Sequence, residues 1–244
     1  MGLAFTIGFI DIVFGMGYGT ILTPILIILG VPPLKAVSAV IFSQLLSSIP
    51  TTLFHHKARN ISLKWGSMDL KVALILGLSG FIAPIVAYFI AVNVSSFYMK
   101  LYLALLLLTV GLVVLSNSLR NIKFSWSKIL LLSFIAGFNK GFTGGGYGPL
   151  VTSGQVLSGI GIRSAVAITP IARGIACTVA VLAYTIGGVL HLDLALPLTL
   201  GVLLSSPIAV YTVRKSKSVY LRKGIGVVTL ILGALVLIRT VITL

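Results

Sequence analysis

Acidic residues are scarce in this 244-residue sequence, which has three aspartates and no glutamate against 18 lysines and arginines. So few carboxylates leave little material for hydrolysis or ATP use, and the sequence contains no nucleophile–base arrangement and no phosphate-binding loop. The single cysteine, Cys177, excludes an internal disulfide. No spacing of the three histidines is typical of a metal site. We therefore expect no enzyme activity, no cofactor and no metal.

Charged residues of either sign are also few. They make up 9% of the chain, whereas a soluble domain has about 25%. Hydrophobic residues make up 58% and the mean hydropathy is +1.17, so lipid must be the solvent for most of the surface. Strand-like alternation is absent, and the apolar stretches approach the ~20 residues that a membrane-crossing helix needs. The prediction is an all-α polytopic membrane protein with about eight segments: 3–29, 36–54, 70–92, 97–116, 129–158, 164–189, 194–213 and 224–243.

The net charge of +15 lies mainly in three short loops, at 57–71, 120–128 and 214–223. Basic loops between apolar segments are typical of the cytoplasmic face of a membrane protein. They favour a multi-pass protein of the cytoplasmic membrane, with the lipid bilayer as partner, over a nucleic-acid-binding protein.

The chain contains an internal repeat. The tripeptide 17–19, Gly-Tyr-Gly, matches 146–148, and further matches follow at the same offset. The segment 84–88, Pro-Ile-Val-Ala-Tyr, matches 207–211, Pro-Ile-Ala-Val-Tyr, at nearly the same shift. Residues 1–118 and 119–244 are therefore predicted to be two copies of one unit.

Charge distinguishes two topologies. If all eight segments crossed the membrane, each face would carry eight basic residues, which leaves no positive-inside bias. If segments one and five enter and leave on the same face, thirteen basic residues collect in the cytoplasm and three outside. The second topology is favoured, and it makes the units inverted repeats, each with a Gly-rich re-entrant or broken helix plus three spans. Eight full crossings are the alternative.

Two glycine-rich stretches divide segments one and five into arms of the length typical of re-entrant pieces. We call residues 15–19 the first Gly-rich turn and residues 144–148 the second. Glycine lets the backbone turn between half-helices, and non-helical backbone at membrane depth must be buried in protein or line a wet cavity.

The first stretch, Gly15-Met-Gly-Tyr-Gly followed by Thr23-Pro24, and the second, Gly144-Gly-Gly-Tyr-Gly-Pro149, resemble the TauE/SafE family of sulfite exporters. In that family each copy opens with a Gly-rich turn, a Pro-containing apolar arm and a helix that begins near an Ala-Val pair. The resemblance covers nearly the whole chain, although Met16 stands where a third glycine is expected. It implies a transporter of sulfite or of small organosulfur anions such as sulfonates.

The two Gly-rich turns are the candidate binding site for a small anion. Half-helices that begin there would present free N–H groups and a partial positive charge, and the hydroxyls nearby add donors. The alternative is that the glycines serve close helix packing. The candidate residues are Gly17, Tyr18, Gly19 and Thr20 in the first copy, and Thr143, Gly144, Gly145, Gly146, Tyr147 and Gly148 in the second.

Arg173 lies inside segment six, where a charge should face a partner or a cavity. Its repeat partner is Gln44. A guanidinium suits an oxyanion and an amide can also donate, so both are candidate substrate ligands. Alternatively, Arg173 lies near a helix end and extends to water.

Asp11 and Lys140 occupy equivalent positions in the two copies. They are predicted to form an ion pair across the repeat interface, or Lys140 attracts the anion while Asp11 carries a coupling proton. Residues at the segment ends are interpreted as loop or interface positions: His55, His56, His191 and Asp193.

The sequence thus favours a secondary carrier that exports sulfite or a related anion by alternating access. An anion channel or a permease for another small anion is the second hypothesis. A non-transporting membrane scaffold is the third.

Overall fold

The computed structural model describes residues 1–78, 83, 96–115, 123–143, 147–186 and 190–242. These residues form ten α-helices and no β-strand, so the all-α prediction is confirmed for the described part of the chain. The helices are α1 Gly2–Phe14, α2 Tyr18–Ile28, α3 Pro33–Lys57, α4 Met68–Leu78, α5 Ser96–Leu115, α6 Trp126–Thr143, α7 Tyr147–Leu157, α8 Ile162–Ile186, α9 Leu192–Lys215 and α10 Ser218–Ile242.

Helix length separates two groups. Helices α3, α8, α9 and α10 are long and apolar enough to cross a membrane. A 25-residue helix such as α3 is about 37 Å long, against about 30 Å for the hydrocarbon core. With 13 residues in α1 and 11 in each of α2 and α7, these helices are about 16 to 20 Å long. None of these three spans the bilayer by itself.

Glycine explains the break between α1 and α2. Gly15 ends α1 in the left-handed conformation with φ 72°, and Gly17 has φ 113°. L-residues rarely adopt such angles, so glycine is the residue that allows this turn. The chain leaves the turn at Tyr18 and begins α2.

The long helices present apolar stripes outward. Leu196, Leu200, Leu204 and Ile208 recur every four residues on α9 and are each more than half exposed. A stripe of this length on a soluble protein would be an aggregation-prone patch. On this chain it is the face that lies against lipid.

Helices from the two halves of the chain pack on each other. Helix α1 packs on α9, and α6 packs on α4. Helix α3 also packs on α9, and α8 on α4, while α3 and α8 contact each other. Helices α5 and α10 pack closely because Gly111 and Gly226 admit side chains of the facing helix.

The basic loops meet at one end of the bundle. Ser125 N–H donates to the carbonyl of Ser158 at 3.3 Å, and Arg163 Nη2 donates to the carbonyl of Ser216 at 2.7 Å. Asn60, near the beginning of the first basic loop, donates to the carbonyl of Val210 near the end of α9. At the opposite end, Lys35 at the start of α3 pairs with Asp193 at the start of α9.

Candidate functional site

A buried ion pair lies inside the bundle. Arg173 Nη1 on α8 donates to Asp11 Oδ2 on α1 at 2.6 Å, and the two side chains are 4% and 2% exposed. Each charge would be costly alone in a low-dielectric interior. Because their opposite charges cancel, the pair can be accommodated inside a membrane-spanning bundle.

Asp11 also accepts a hydrogen bond from the start of α2. Its other carboxylate oxygen, Oδ1, accepts a hydrogen bond from the Tyr18 N–H at 3.2 Å. The first N–H groups of a helix have no partner within the helix and carry partial positive charge. A carboxylate is therefore well placed there, and Asp11 links α1, α2 and α8 at one point.

Gly148, the last residue of the second Gly-rich turn, contacts the first Gly-rich turn. A Cβ added to Gly148 at the start of α7 would lie 3.0 Å from the Gly15 carbonyl oxygen and 3.0 Å from Met16 Cα. Thr152 Oγ1, one turn further along α7, lies 2.7 Å from the Gly15 carbonyl oxygen and donates to it. Residues of α7 thus pack directly on the break between α1 and α2, close to the Asp11 carboxylate.

Gly15 offers a direct test of this contact. We expect Gly15→Ala to cost more stability than Gly30→Ala, measured as Tm in detergent. Both glycines have left-handed φ, 72° and 89°, so both variants incur about 1 kcal/mol of strain. Only at Gly15 would the new Cβ also meet Thr152 Oγ1, at 2.4 Å, whereas Gly30 has no atom within 4 Å. Equal losses at the two positions would contradict the contact.

The paired tyrosines have hydrogen-bond partners in the structure. Tyr18 Oη donates to the Leu198 carbonyl on α9, and Tyr147 Oη donates to the Leu76 carbonyl on α4, both at 3.4 Å. Ser43 Oγ donates to Tyr18 Oη at 3.2 Å. Tyr18 and Tyr147 therefore connect the short helices α2 and α7 to α9 and α4.

Gln44 lies beside the first Gly-rich turn. A Cβ added to Gly19 would lie 3.2 Å from Gln44 Nε2, and Cys177 Sγ lies 3.7 Å from Gln44 Oε1. Cys177 is one helical turn from Arg173, so the two repeat partners Gln44 and Arg173 lie on facing sides of α3 and α8. Gln44 is 5% exposed.

Some predicted residues cannot be placed. Gly144, Gly145 and Gly146 lie outside the described residues, as do the side chains of Thr143 and Lys140 at the end of α6. Asp11 forms an ion pair with Arg173, and its predicted pairing with Lys140 falls on a side chain outside the described residues. Gly17 lies at the break, and Thr20 lies in the first turn of α2.

The sequence reasoning missed a polar network beside the turn. Thr152 Oγ1 and Thr169 Oγ1 lie 2.9 Å apart, and Gln155 Nε2 donates to Thr169 Oγ1 at 3.2 Å. All three residues are fully buried. Thr152 corresponds to Thr23 at the offset that relates the two Gly-Tyr-Gly tripeptides, and a threonine repeated after each turn is a signal of a local role. His55, expected at a segment end, is also fully buried, with Nδ1 3.1 Å from Asn60 Nδ2.

A cavity of about 300 Å³ opens between α3 and α8. Its lining is mostly aliphatic and includes Ile49, Leu53, Ile171 and Ile175. Ile49 and Leu53 are more than half exposed on the lipid-facing side. Such a lining does not suit an anion, so the ion pair, and not this cavity, is the candidate site.

Ionisable groups inside a membrane bundle are rare and mark solute or proton pathways, and broken helices at membrane depth form solute sites. This chain has both at the same place, where α7 meets the α1–α2 break. It is a multi-pass helical membrane protein of the transporter class.

A family model described as "Sulfite exporter TauE/SafE" matches residues 1–236, which is nearly the whole chain. The chain therefore belongs to the TauE/SafE sulfite exporter family, and the predicted family is confirmed. No curated protein and no solved structure matches the chain.

Proposed function

We propose that this protein is a secondary carrier that exports sulfite or a related small organosulfur anion across the cytoplasmic membrane. The anion binds where the two Gly-rich turns meet, in contact with Arg173 and with N–H groups at the helix starts. The two repeats then move relative to each other so that the site faces each side of the membrane in turn.

The buried Arg173–Asp11 pair at the break carries this proposal. A guanidinium that reaches the start of a short helix combines the two groups with which proteins hold oxyanions. The glycines at 15 and 148 let the backbones of α7 and the break come into direct contact, so that the N–H groups at the two helix starts lie close together. The sulfur identity of the anion comes from the family.

We also propose that residues 1–118 and 119–244 are inverted repeats. Support comes from α2 and α7, both 11 residues long, and from α3 and α8, both 25 residues long. The packing pairs correspond as well: α1 on α9 matches α6 on α4, and α3 on α9 matches α8 on α4.

A re-entrant first segment fits the contacts along α9. Ala4 and Gly8 lie against Gly201, Val202 and Ser205. After the break, the Tyr18 hydroxyl contacts Leu198, on the N-terminal side of those α9 residues. A straight continuation of α1 would have carried Tyr18 toward the C-terminal end of α9.

Cysteine labelling tests this topology. In a Cys177→Ala background, a membrane-impermeant maleimide added to intact cells should label His191→Cys and should spare Trp65→Cys and Lys217→Cys. The basic loops that hold residues 65 and 217 then lie together in the cytoplasm. Eight full crossings would place residues 65 and 217 on opposite faces, and labelling of only one of them from outside would contradict the re-entrant topology.

A thermal-shift screen of the purified protein tests the substrate class. The anions are sulfite, sulfate, thiosulfate, sulfonates, phosphate and carboxylates, with Arg173→Gln as the comparison variant. We expect a sulfur oxyanion to raise the Tm of the wild type and not that of the variant, because a ligand stabilises only the state that binds it. Stabilisation by carboxylates alone would support an anion carrier but contradict sulfite as its substrate. No response to any anion would favour a scaffold.

A further inference from the structure

A carboxylate of the chain itself already occupies an oxyanion-type site. Asp11 Oδ1 accepts the Tyr18 N–H at the start of α2, and Asp11 Oδ2 accepts from Arg173. A helix start plus a guanidinium is the donor set expected for a small oxyanion. Asp11 fills it from a position four residues before the break, on α1.

One N–H group of Arg173 makes no hydrogen bond to the described residues. Its Nε is fully buried and has no hydrogen-bond partner among the described residues. Buried polar groups without a partner are rare and costly, and an unmade bond of this kind points to a missing ligand. The guanidinium can therefore bind one anion through Nη1 and a second through its Nε edge.

The net charge of the site limits whether the Asp11 carboxylate and the transported anion can be bound at the same time. Arg173 and Asp11 together are neutral. Arrival of a monovalent anion would leave the buried site with one net negative charge, which the low-dielectric interior strongly disfavours. The site becomes neutral again when Asp11 takes one proton from the solution and releases Arg173.

We propose that Asp11 is a built-in anion that competes with the transported anion for Arg173 and the start of α2, and that each monovalent anion binds together with one proton. This inference rests on the carrier proposed above and adds its coupling. It gives a role to the only buried acid among the chain's three aspartates.

Among the described residues, the other ionisable groups close to Asp11 are not carboxylates. Helix α2 contributes Tyr18, and α8 contributes Arg173 with Cys177 one turn further along. Helices α9 and α10 also pack on α1 and carry their charged residues near their ends: Asp193, Arg214, Lys215, Arg222, Lys223 and Arg239. Asp11 is thus the carboxylate in position to exchange with the anion.

The test uses methanesulfonate, whose charge is constant between about pH 5.5 and 8 because it is a strong acid. Its affinity for the full-length protein in detergent is measured by thermal shift across that range. For the wild type we expect Kd to rise about tenfold per pH unit, since one proton is taken up with each anion. Asp11→Asn should bind more tightly than the wild type at pH 8, by about tenfold or more, and should show no pH dependence.

Two controls separate coupling from structure. Asp69→Asn and Asp193→Asn each remove a carboxylate outside the site and should keep the wild-type pH slope. Asp11→Gly leaves the position of the carboxylate empty, so formate or acetate should raise the Tm of that variant and not of the wild type.

The outcomes distinguish this inference from the carrier proposal. Binding by the wild type with no pH dependence would overturn the inference even if neither Asp11 variant folds. Binding by Asp11→Asn that is no tighter than wild type, with the slope retained, would also overturn it and leave the carrier standing. If no anion in the full screen raises the Tm of the wild type or of the variants, the carrier proposal itself is contradicted.

Discussion

Replacing Gly148 with leucine should abolish anion transport in proteoliposomes while the protein still folds and inserts. Even a Cβ at this position would lie only 3.0 Å from the Gly15 carbonyl oxygen and from Met16 Cα. A leucine side chain must therefore push α7 away from the break or fill the space where the anion binds. Overpacking costs about 1–3 kcal/mol of folding free energy, which is less than the stability of a typical folded protein, so we expect a folded variant that does not transport the anion.

Gly161→Leu is the matched control. Gly161 lies just before α8 and has no atom within 4 Å of an added Cβ, so the same substitution should leave transport near the wild-type rate. Size-exclusion chromatography and Tm confirm that both variants fold. Wild-type transport by Gly148→Leu would mean that the contact between the Gly-rich turns serves packing alone.

Removing Arg173 should have the second large effect. In Arg173→Gln the Asp11 carboxylate stays buried without its counter-charge. Breaking a buried ion pair costs about 3–5 kcal/mol, which corresponds to a loss of about 10 °C or more in Tm for a chain of this size. Anion binding should be lost as well, because the only described buried cation of the site is gone.

A double-mutant cycle shows how much of that loss belongs to the pair. Asp11→Asn combined with Arg173→Gln replaces two charges by two amides that can hydrogen-bond to each other. The double variant should recover most of the stability that Arg173→Gln loses, yet it should bind no anion. Additive losses in Tm would show that Asp11 and Arg173 do not interact, contrary to the 2.6 Å contact.

Several parts of this architecture could be predicted from the sequence. The apolar composition indicates that lipid surrounds most of the chain. In lipid the backbone N–H and C=O groups must hydrogen-bond to each other, and helices achieve this in so apolar a chain. The glycines at 15, 17, 144–146 and 148 indicate breaks because few other residues adopt the angles of a tight turn, and the described part of the chain begins new helices at Tyr18 and Tyr147. The matched Gly-Tyr-Gly tripeptides also indicated that the two starts are equivalent.

The partners of individual side chains could not be predicted. Asp11 and Arg173 are 162 residues apart and no periodicity links them, so the repeat offset did not indicate this pair. Tyr18 and Tyr147 each donate to a helix carbonyl, and the sequence does not indicate these acceptors. An aromatic hydroxyl inside a bundle takes the acceptor that tertiary packing brings near, and the sequence does not state which one that is.

Counterflow in proteoliposomes tests the central claim most directly. Vesicles preloaded with unlabelled sulfite and diluted into radiolabelled sulfite should transiently accumulate label with wild-type protein, and the initial rate should saturate. Vesicles with Arg173→Gln should accumulate no more label than empty vesicles. Equal accumulation by the variant would remove the Arg173–Asp11 site from the mechanism. Flux that never saturates would contradict a carrier and favour a channel.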